Sequence, residues 1–278
     1  AKTINELINN LPNENLEIKI DNKEFVIKTE NQEYKIKTLP PEEFPFIPEK
    51  QNLKTIKLEP ESFKQALNQV LFAASNNQTQ PEISGIFIKI EGGKGRLVAT
   101  DRYRLAEKTL QVEGEAEIII PQKTAHEIAR LLSFKEEKFE VAVEENQIYF
   151  NIGETQVVSR LIDGQYPDYK SIIPENFNTT IMVDKGKIQS ALKNSALFSQ
   201  NTNSVKLDYS QETQKITIKA ESQELGSGLV EIPSVIEGTS GSLLLNFKYV
   251  LDFLAQAQGQ NVIIKVVNDS SPAVFITE

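Results

Sequence analysis

The sequence predicts an α+β fold assembled from one repeated module: a short strand, a helix, then three strands, about sixty residues long. Three observations predict it. First, three stretches align without gaps: KTINELINNL from Lys2, KTAHEIARLL from Lys123 and KYVLDFLAQA from Lys248. Each opens on Lys and carries an acid four residues later (Glu6, Glu127, Asp252). Each then spaces its apolar residues as one helix face, as do Ile4, Leu7, Ile8 and Leu11. Second, each is followed by two alternating runs joined by a polar turn, the pattern of paired strands. These are NLEIKIDNKEFVIK (Asn15–Lys28), KFEVAVEENQIYFN (Lys138–Asn151) and NVIIKVVNDSSPAVFI (Asn261–Ile276). Third, two related units lie between them. IKLEPESFKQALNQVLFAAS (Ile56–Ser75) and IMVDKGKIQSALKNSALFSQ (Ile181–Gln200) each read as a short strand entering a helix.

In chain order, helices are expected over 2–11, 60–77, 123–132, 184–200 and 247–258. EYKIKT (Glu33–Thr38) alternates, so Tyr34 and Ile36 share one strand face. Strands are expected at Ile83–Ile90, Arg96–Thr100 and Arg104–Gln111. TLPPEEFPFIP, ending at Pro48, and LIDGQYPDYKSIIP, ending at Pro174, close the first two copies. Two modules make a domain, with its two helices side by side on one face and strands outside. On that count 1–50 is the second half of a first domain, 51–175 a whole central domain, and 176–278 most of a third. The expectation is a partial sequence, with roughly seventy residues preceding it and about twenty following it, including a last strand and tail.

The chain has 278 residues, 39% hydrophobic and 25% charged, enough to build packed cores. No run of eighteen apolar residues suggests a membrane span. There is no cysteine, which excludes disulfides, thiolate catalysis and Cys-ligated metals and fits a cytoplasmic protein. His126 is the single histidine, which removes most zinc sites and most catalytic triads. The acid pairs Glu42-Glu43, Glu136-Glu137 and Glu144-Glu145 sit in turns without apolar surroundings and read as solvated charge. No catalytic residue, metal or cofactor is expected.

The net charge of −9 argues against a simple basic nucleic-acid binder. The predicted helices nevertheless carry more cations than acids: Lys2, Lys64, Lys123, Arg130, Lys185, Lys187, Lys193 and Lys248. They are also rich in amides, as in SNNQTQ (Ser75–Gln80). Such helices on an acidic body suit loose contact with a phosphate backbone. The plain alternative is that helices tolerate Lys well. One hairpin tip, within LVATDRYRLAEK (Leu97–Lys108), is unusually charged: Asp101, Arg102, Tyr103 and Arg104 are catalytic, a recognition surface, or a solvated turn with local ion pairs. Asp101 is expected to accept turn N–H bonds.

VATDRYRLA, LIDGQYPDY and LNFKYVLDFL (Leu245–Leu254), in this order and within the triplicated module, resemble the bacterial DNA polymerase III β subunit, the sliding-clamp family. The resemblance covers essentially the whole chain. It implies the DNA clamp fold, with helices inside and sheets outside. It also implies a non-catalytic processivity factor whose two subunits close head to tail around duplex DNA without reading its sequence. The implied partners are the catalytic subunit of DNA polymerase III, the clamp loader and other proteins with clamp-binding motifs. Their peptides would dock between the second and third domains. Thr100, Tyr103, Arg104 and Leu105 form one wall, Pro167 and Ile172 a second side, and Asn246, Tyr249, Val274 and Ile276 the third. The helix cations would face DNA. Leu7, Tyr34 and Ile36 would meet Leu197 and Phe198 of a second copy, in a homodimer weakened by the missing half domain. Three departures stand out. Arg102-Tyr103 occupies a place where the family usually has Gly-His, Ser171 follows PDYK, and the family's apolar C-terminal tail is absent, so the pocket is expected to be incomplete. A self-associating scaffold without DNA is the alternative. A hydrolase built on an Asp and His126 has no supporting pattern.

Overall fold

The computed structural model describes residues 2–21, 23–43, 54–77, 79–134, 139–199 and 202–277. The chain divides into two compact units, Ala1–Lys50 and Gln51–Glu278. The first holds α1 (Lys2–Asn10) and an antiparallel sheet of β1 (Glu17–Asp21), β2 (Glu24–Lys28) and β3 (Glu33–Lys37), in that order. Ile18 and Ile20 pair with Ile27 and Phe25, which pair in turn with Tyr34 and Ile36, so these six side chains share one face. Only Val26 and Ile27 of the described residues in this unit are buried, and Ile20 is 75% exposed. The Lys2 ammonium lies 3.7 Å from the Glu6 carboxylate one turn on. Phe44–Pro48, the end of TLPPEEFPFIP, lies outside the described residues.

The second unit begins with β4 (Lys54–Ile56), α2 (Pro60–Leu71), β5 (Gly85–Glu91), β6 (Lys94–Thr100) and β7 (Leu105–Gln111). Then come β8 (Ala116–Pro121), α3 (Gln122–Leu131), β9 (Phe139–Val143), β10 (Gln147–Ile152) and β11 (Thr155–Arg160). A similar succession recurs as β12 (Thr179–Asp184), α4 (Lys185–Ser195), β13 (Ser204–Ser210), β14 (Lys215–Ser222) and β15 (Gly226–Pro233), followed by an added edge strand, β16 (Val235–Gly238). It ends with β17 (Gly241–Asn246), α5 (Phe247–Gln256), β18 (Asn261–Val266) and β19 (Val274–Thr277). The sheets run β7-β6-β5-β8, β11-β10-β9-β4, β15-β14-β13-β17 and β16-β12-β18-β19, all antiparallel. The modules therefore exchange their leading strands: β4 pairs with β9, and β8 with β5. In the second pair β12 joins β18, and β17 joins β13. A module cannot complete its own sheet, which is why modules come in twos.

Each pair closes one core. Phe63, Leu67 and Val70 of α2 and Ala125 and Ile128 of α3 pack with Ile86, Ile88, Leu97, Val141 and Phe150 from both sheets. Ile188 and Leu192 of α4 and Val250 and Leu254 of α5 pack with Leu207, Ile218, Val262 and Ile264. α2 touches α3 and also α5, and α5 touches α4, so the four helices adjoin in the order α3, α2, α5, α4.

Two helices are shorter than their sequence pattern by more than a turn. The helix expected over 60–77 ends at Leu71, because beyond it Ser75 N–H donates to the Ile83 carbonyl and the Ser75 hydroxyl accepts from Asn77 N–H. Ser and Asn side chains compete here with helical hydrogen bonds. The helix expected over 184–200 starts after Asp184, its N-cap, and gives way at Ala196–Phe198 to a tighter turn. Ile83 likewise belongs to a short turn, Pro81–Ile83, and not to the strand expected from it.

A third, smaller cluster lies on the outer face of β7-β6-β5-β8. There LIDGQYPDY lays Tyr166 and Tyr169 over Phe87, Val98 and Ile119. The Tyr166 and Phe87 rings stack at 4.7 Å between centroids. Ile162 N–H donates to the Ile119 carbonyl at 2.8 Å. A β-carbon on Gly85 would fall 2.6–2.7 Å from Ile119, Ile120 and Ile162 atoms, so glycine is what lets this segment approach. Burial pushes both phenols above their ordinary range.

Candidate protein-binding junction

The charged hairpin tip joins the two cores of the second unit. Asp101 Oδ1 accepts from the backbone N–H groups of Tyr103 and Arg104, both at 3.0 Å, as the turn reading expects. Thr100 Oγ1 accepts from Arg102 N–H and donates to the Arg104 carbonyl, 2.7 Å away. The tip is thus closed from within. Arg102 is held at φ +79°, and its side chain and that of Tyr103 are exposed. Glycine takes such a φ without steric cost, which gives the Gly-His departure a backbone meaning.

Arg104 turns inward. Its Nε donates to Asp101 Oδ2 at 3.1 Å and its Nη1 to Asp252 Oδ2 of α5 at 2.5 Å. Its guanidinium lies over the Tyr249 ring at 4.5 Å and the Phe72 ring at 5.4 Å. Two amide contacts accompany it: Gln69 Nε2 to the Gln256 carbonyl, and Gln258 Nε2 to Gln65 Oε1, each at 3.3 Å.

Of the ten residues expected to form a peptide pocket, Arg104 and Tyr249 are in direct contact across the two cores, and Thr100 bonds the Arg104 carbonyl within the hairpin. Asn246 caps α5 three residues before Tyr249, accepting from Lys248 N–H at 3.0 Å. Leu105 packs beside Tyr166 and Tyr169 in the small outer cluster. Pro167 and Ile172 are exposed on the segment that carries those tyrosines. Val274 and Ile276 alternate with core-packed Phe275 on edge strand β19, so they face away from that core. Among the described residues no hydrogen bond, ion pair or ring contact joins Pro167, Ile172, Val274 or Ile276 to the hairpin. Asp252 and Phe72 escaped the sequence reading. Asp252 was visible only as the acid of a recurring Lys-x-x-x-acid pattern.

The helix cations divide. Lys2, Lys64 and Arg130 pair with Glu6, Glu61 and Glu127 of their own helices, and Lys185 donates to the Ala257 carbonyl at 2.9 Å. Lys123, Lys187, Lys193 and Lys248 are exposed, and no acid lies within 4.0 Å among the described residues. Leu7, Tyr34 and Ile36 are half-buried in the first unit, and in the second Leu197 is exposed while Phe198 packs over Gly228. Glu144 corrects the reading of the acid pairs as solvated: it is half-buried and accepts from the Tyr149 hydroxyl at 3.0 Å. Glu136-Glu137 lies outside the described residues. His126 is exposed on α3. Among the described residues no cluster of three or more metal-ligating side chains occurs, and no helix is long and apolar enough to cross a membrane.

Residues 57–168 match the family model of the DNA polymerase III beta subunit, central domain, and residues 170–278 match that of its C-terminal domain. The chain belongs to the DNA polymerase III beta subunit family. The family's curated members include the beta sliding clamp of Synechococcus elongatus, 25% identical over 99% of this chain and 76% of that protein. That of Staphylococcus aureus is 27% identical over 85% of this chain and 64% of that protein. The crystal structure of the beta subunit from Thermotoga maritima superposes with a TM-score of 0.87 at 25% identity, covering 99% of this chain and 76% of that one. The α+β fold expected from the module holds, and so does the clamp fold that the resemblance implied.

Proposed function

We propose that this chain is a sliding clamp: a non-catalytic, cytoplasmic processivity factor that surrounds duplex DNA and tethers a replicative polymerase. The observation that carries this reading is the pair of repeat cores. Both match clamp domains in order, and each is built from two modules that exchange strands. The domains proposed are 1–50, 51–175 and 176–278. Four exposed cations with no acid within 4.0 Å among the described residues, on adjoining helices, suit weak attraction to phosphates, which sliding requires. The hairpin, the Tyr166 segment and α5 are the proposed docking region for peptides of the polymerase, the clamp loader and other partners. Tyr249 supplies its aromatic floor. Closure by a second copy through Leu7, Tyr34, Ile36, Leu197 and Phe198 is part of the same proposal.

Retention on DNA is the test. The protein, loaded on a nicked circle, should stay bound and should leave when the circle is linearised. Equal retention on both forms would support a scaffold or ordinary binder instead. Replacing Lys187 and Lys193 with Ala should weaken binding equally across sequences. The salt slope should fall by about one for each phosphate that is no longer neutralised.

A further inference from the structure

We infer that Asp252 is a positioning residue that draws Arg104 across from its own hairpin to α5 and so fixes the angle between the two repeat cores. The inference stands on the junction's geometry and does not depend on what the protein binds. Arg104 already has a local partner, Asp101, at 3.1 Å. A planar guanidinium offers five donors, so a second carboxylate can be served from the other edge. Asp252 takes that edge from the next core. Two aromatic rings lie against the guanidinium as well, Tyr249 of α5 at 4.5 Å and Phe72 just after α2 at 5.4 Å. The Arg104 side chain is 19% exposed and that of Asp252 45%, so the pair is shielded from water on the arginine side and open to it on the carboxylate side.

Three further observations single the pair out. Among the described residues it is the only ion pair that joins the two cores; the other polar links are the two glutamine bonds at 3.3 Å. The recurring acid of the Lys-x-x-x-acid pattern is also used differently here. Glu6 pairs with Lys2 and Glu127 with Arg130, each within its helix, whereas Asp252 reaches another core. The sister hairpin between β14 and β15, with Gln223, Glu224 and Leu225 at its tip, carries no cation for such a link.

The absence of cysteine makes the test clean. Spin labels at Lys94→Cys on β6 and Glu221→Cys on β14 report the distance between the cores. With Asp252→Asn the distance distribution should broaden or shift, while the label-free protein keeps its helical content. Amide exchange should speed up by about tenfold at 249–253, the equivalent of about 1.4 kcal/mol. The hairpin amides, still held by Asp101, should stay protected. Arg104→Met should give the same distance change, and the double variant no more than either single one. An unchanged distribution with unchanged α5 exchange in Asp252→Asn would overturn the inference. So would effects of the two substitutions that simply add.

Discussion

Arg102 stands at φ +79° with its amide bonded to the Thr100 hydroxyl and its side chain in solvent. A β-carbon in this left-handed region costs about 1–2 kcal/mol. Arg102→Gly should therefore raise stability by about 1 kcal/mol, after the added freedom of the unfolded chain is subtracted. Urea unfolding checks it: the midpoint rises with an unchanged slope. A second residue-scale conflict lies in and just after α4. Ser195 and Ser199 are buried with hydroxyls that find no partner among the described residues, at the places where the sister unit has Val70 and Ala74. Ser195→Ala removes a hydroxyl that gains nothing from burial, so stability should hold or rise by about 1 kcal/mol. A comparable loss would mean the hydroxyl is bonded. Asp101 was legible beforehand, since a short carboxylate at a turn has local amides to accept from. The partner of Arg104 was not, because nothing local points to a carboxylate on α5. The task of Tyr166 and Tyr169 was also hidden: a family signature says nothing about which sheet face it covers.

At the scale of elements, strand alternation translated directly. EYKIKT places Tyr34 and Ile36 on the face that it implied, opposite Ile27 and Phe25. Helix ends translated poorly, because apolar spacing ran on into SNNQTQ while side-chain bonds had already turned the chain. The exchange of leading strands was not legible either. Three-residue β4 carries too little pattern to name its partner. The start of α2 offers a pH test. Glu59 caps it, accepting from Glu61 N–H at 3.1 Å and Ser62 N–H at 2.5 Å, with Pro60 in the first turn. The bonds from Ser62 hold its carboxyl below the usual carboxylate range. Its folded pKa is therefore lower than its unfolded one. The cap's contribution is complete above the unfolded value and is lost as pH falls through the folded value. Glu59→Gln should cost about 1 kcal/mol or less at neutral pH. The difference between variant and parent should shrink as the pH is taken down into the acid range. A difference that stays constant with pH would separate the cap from the charge.

At the scale of the molecule, the two units differ in how much apolar surface they cover. The second unit holds three clusters, with fully buried Phe63, Leu67, Phe150, Ile181 and Leu207 among them. The first holds two buried residues among those described, and leaves Ile18 and Ile20 exposed on β1. Burial supplies about 25 cal/mol for each Å² of apolar surface. The ordering of each residue's backbone costs about 1–2 kcal/mol. A three-stranded sheet with two buried residues gains little against that cost, whereas each strand-exchanged core buries two helices against two sheets. Unfolding should therefore occur in two steps. The first 50 residues should lose exchange protection at low denaturant, with a small dependence on denaturant concentration. The rest should follow in a steeper transition that reports the larger buried surface. Amide exchange resolved by segment measures both. If α1 and β1–β3 stay protected up to the second transition, their exposed isoleucines must be covered in solution. Dilution then identifies the cover: protection that falls as protein concentration falls comes from a second copy, and protection that does not is internal to the chain.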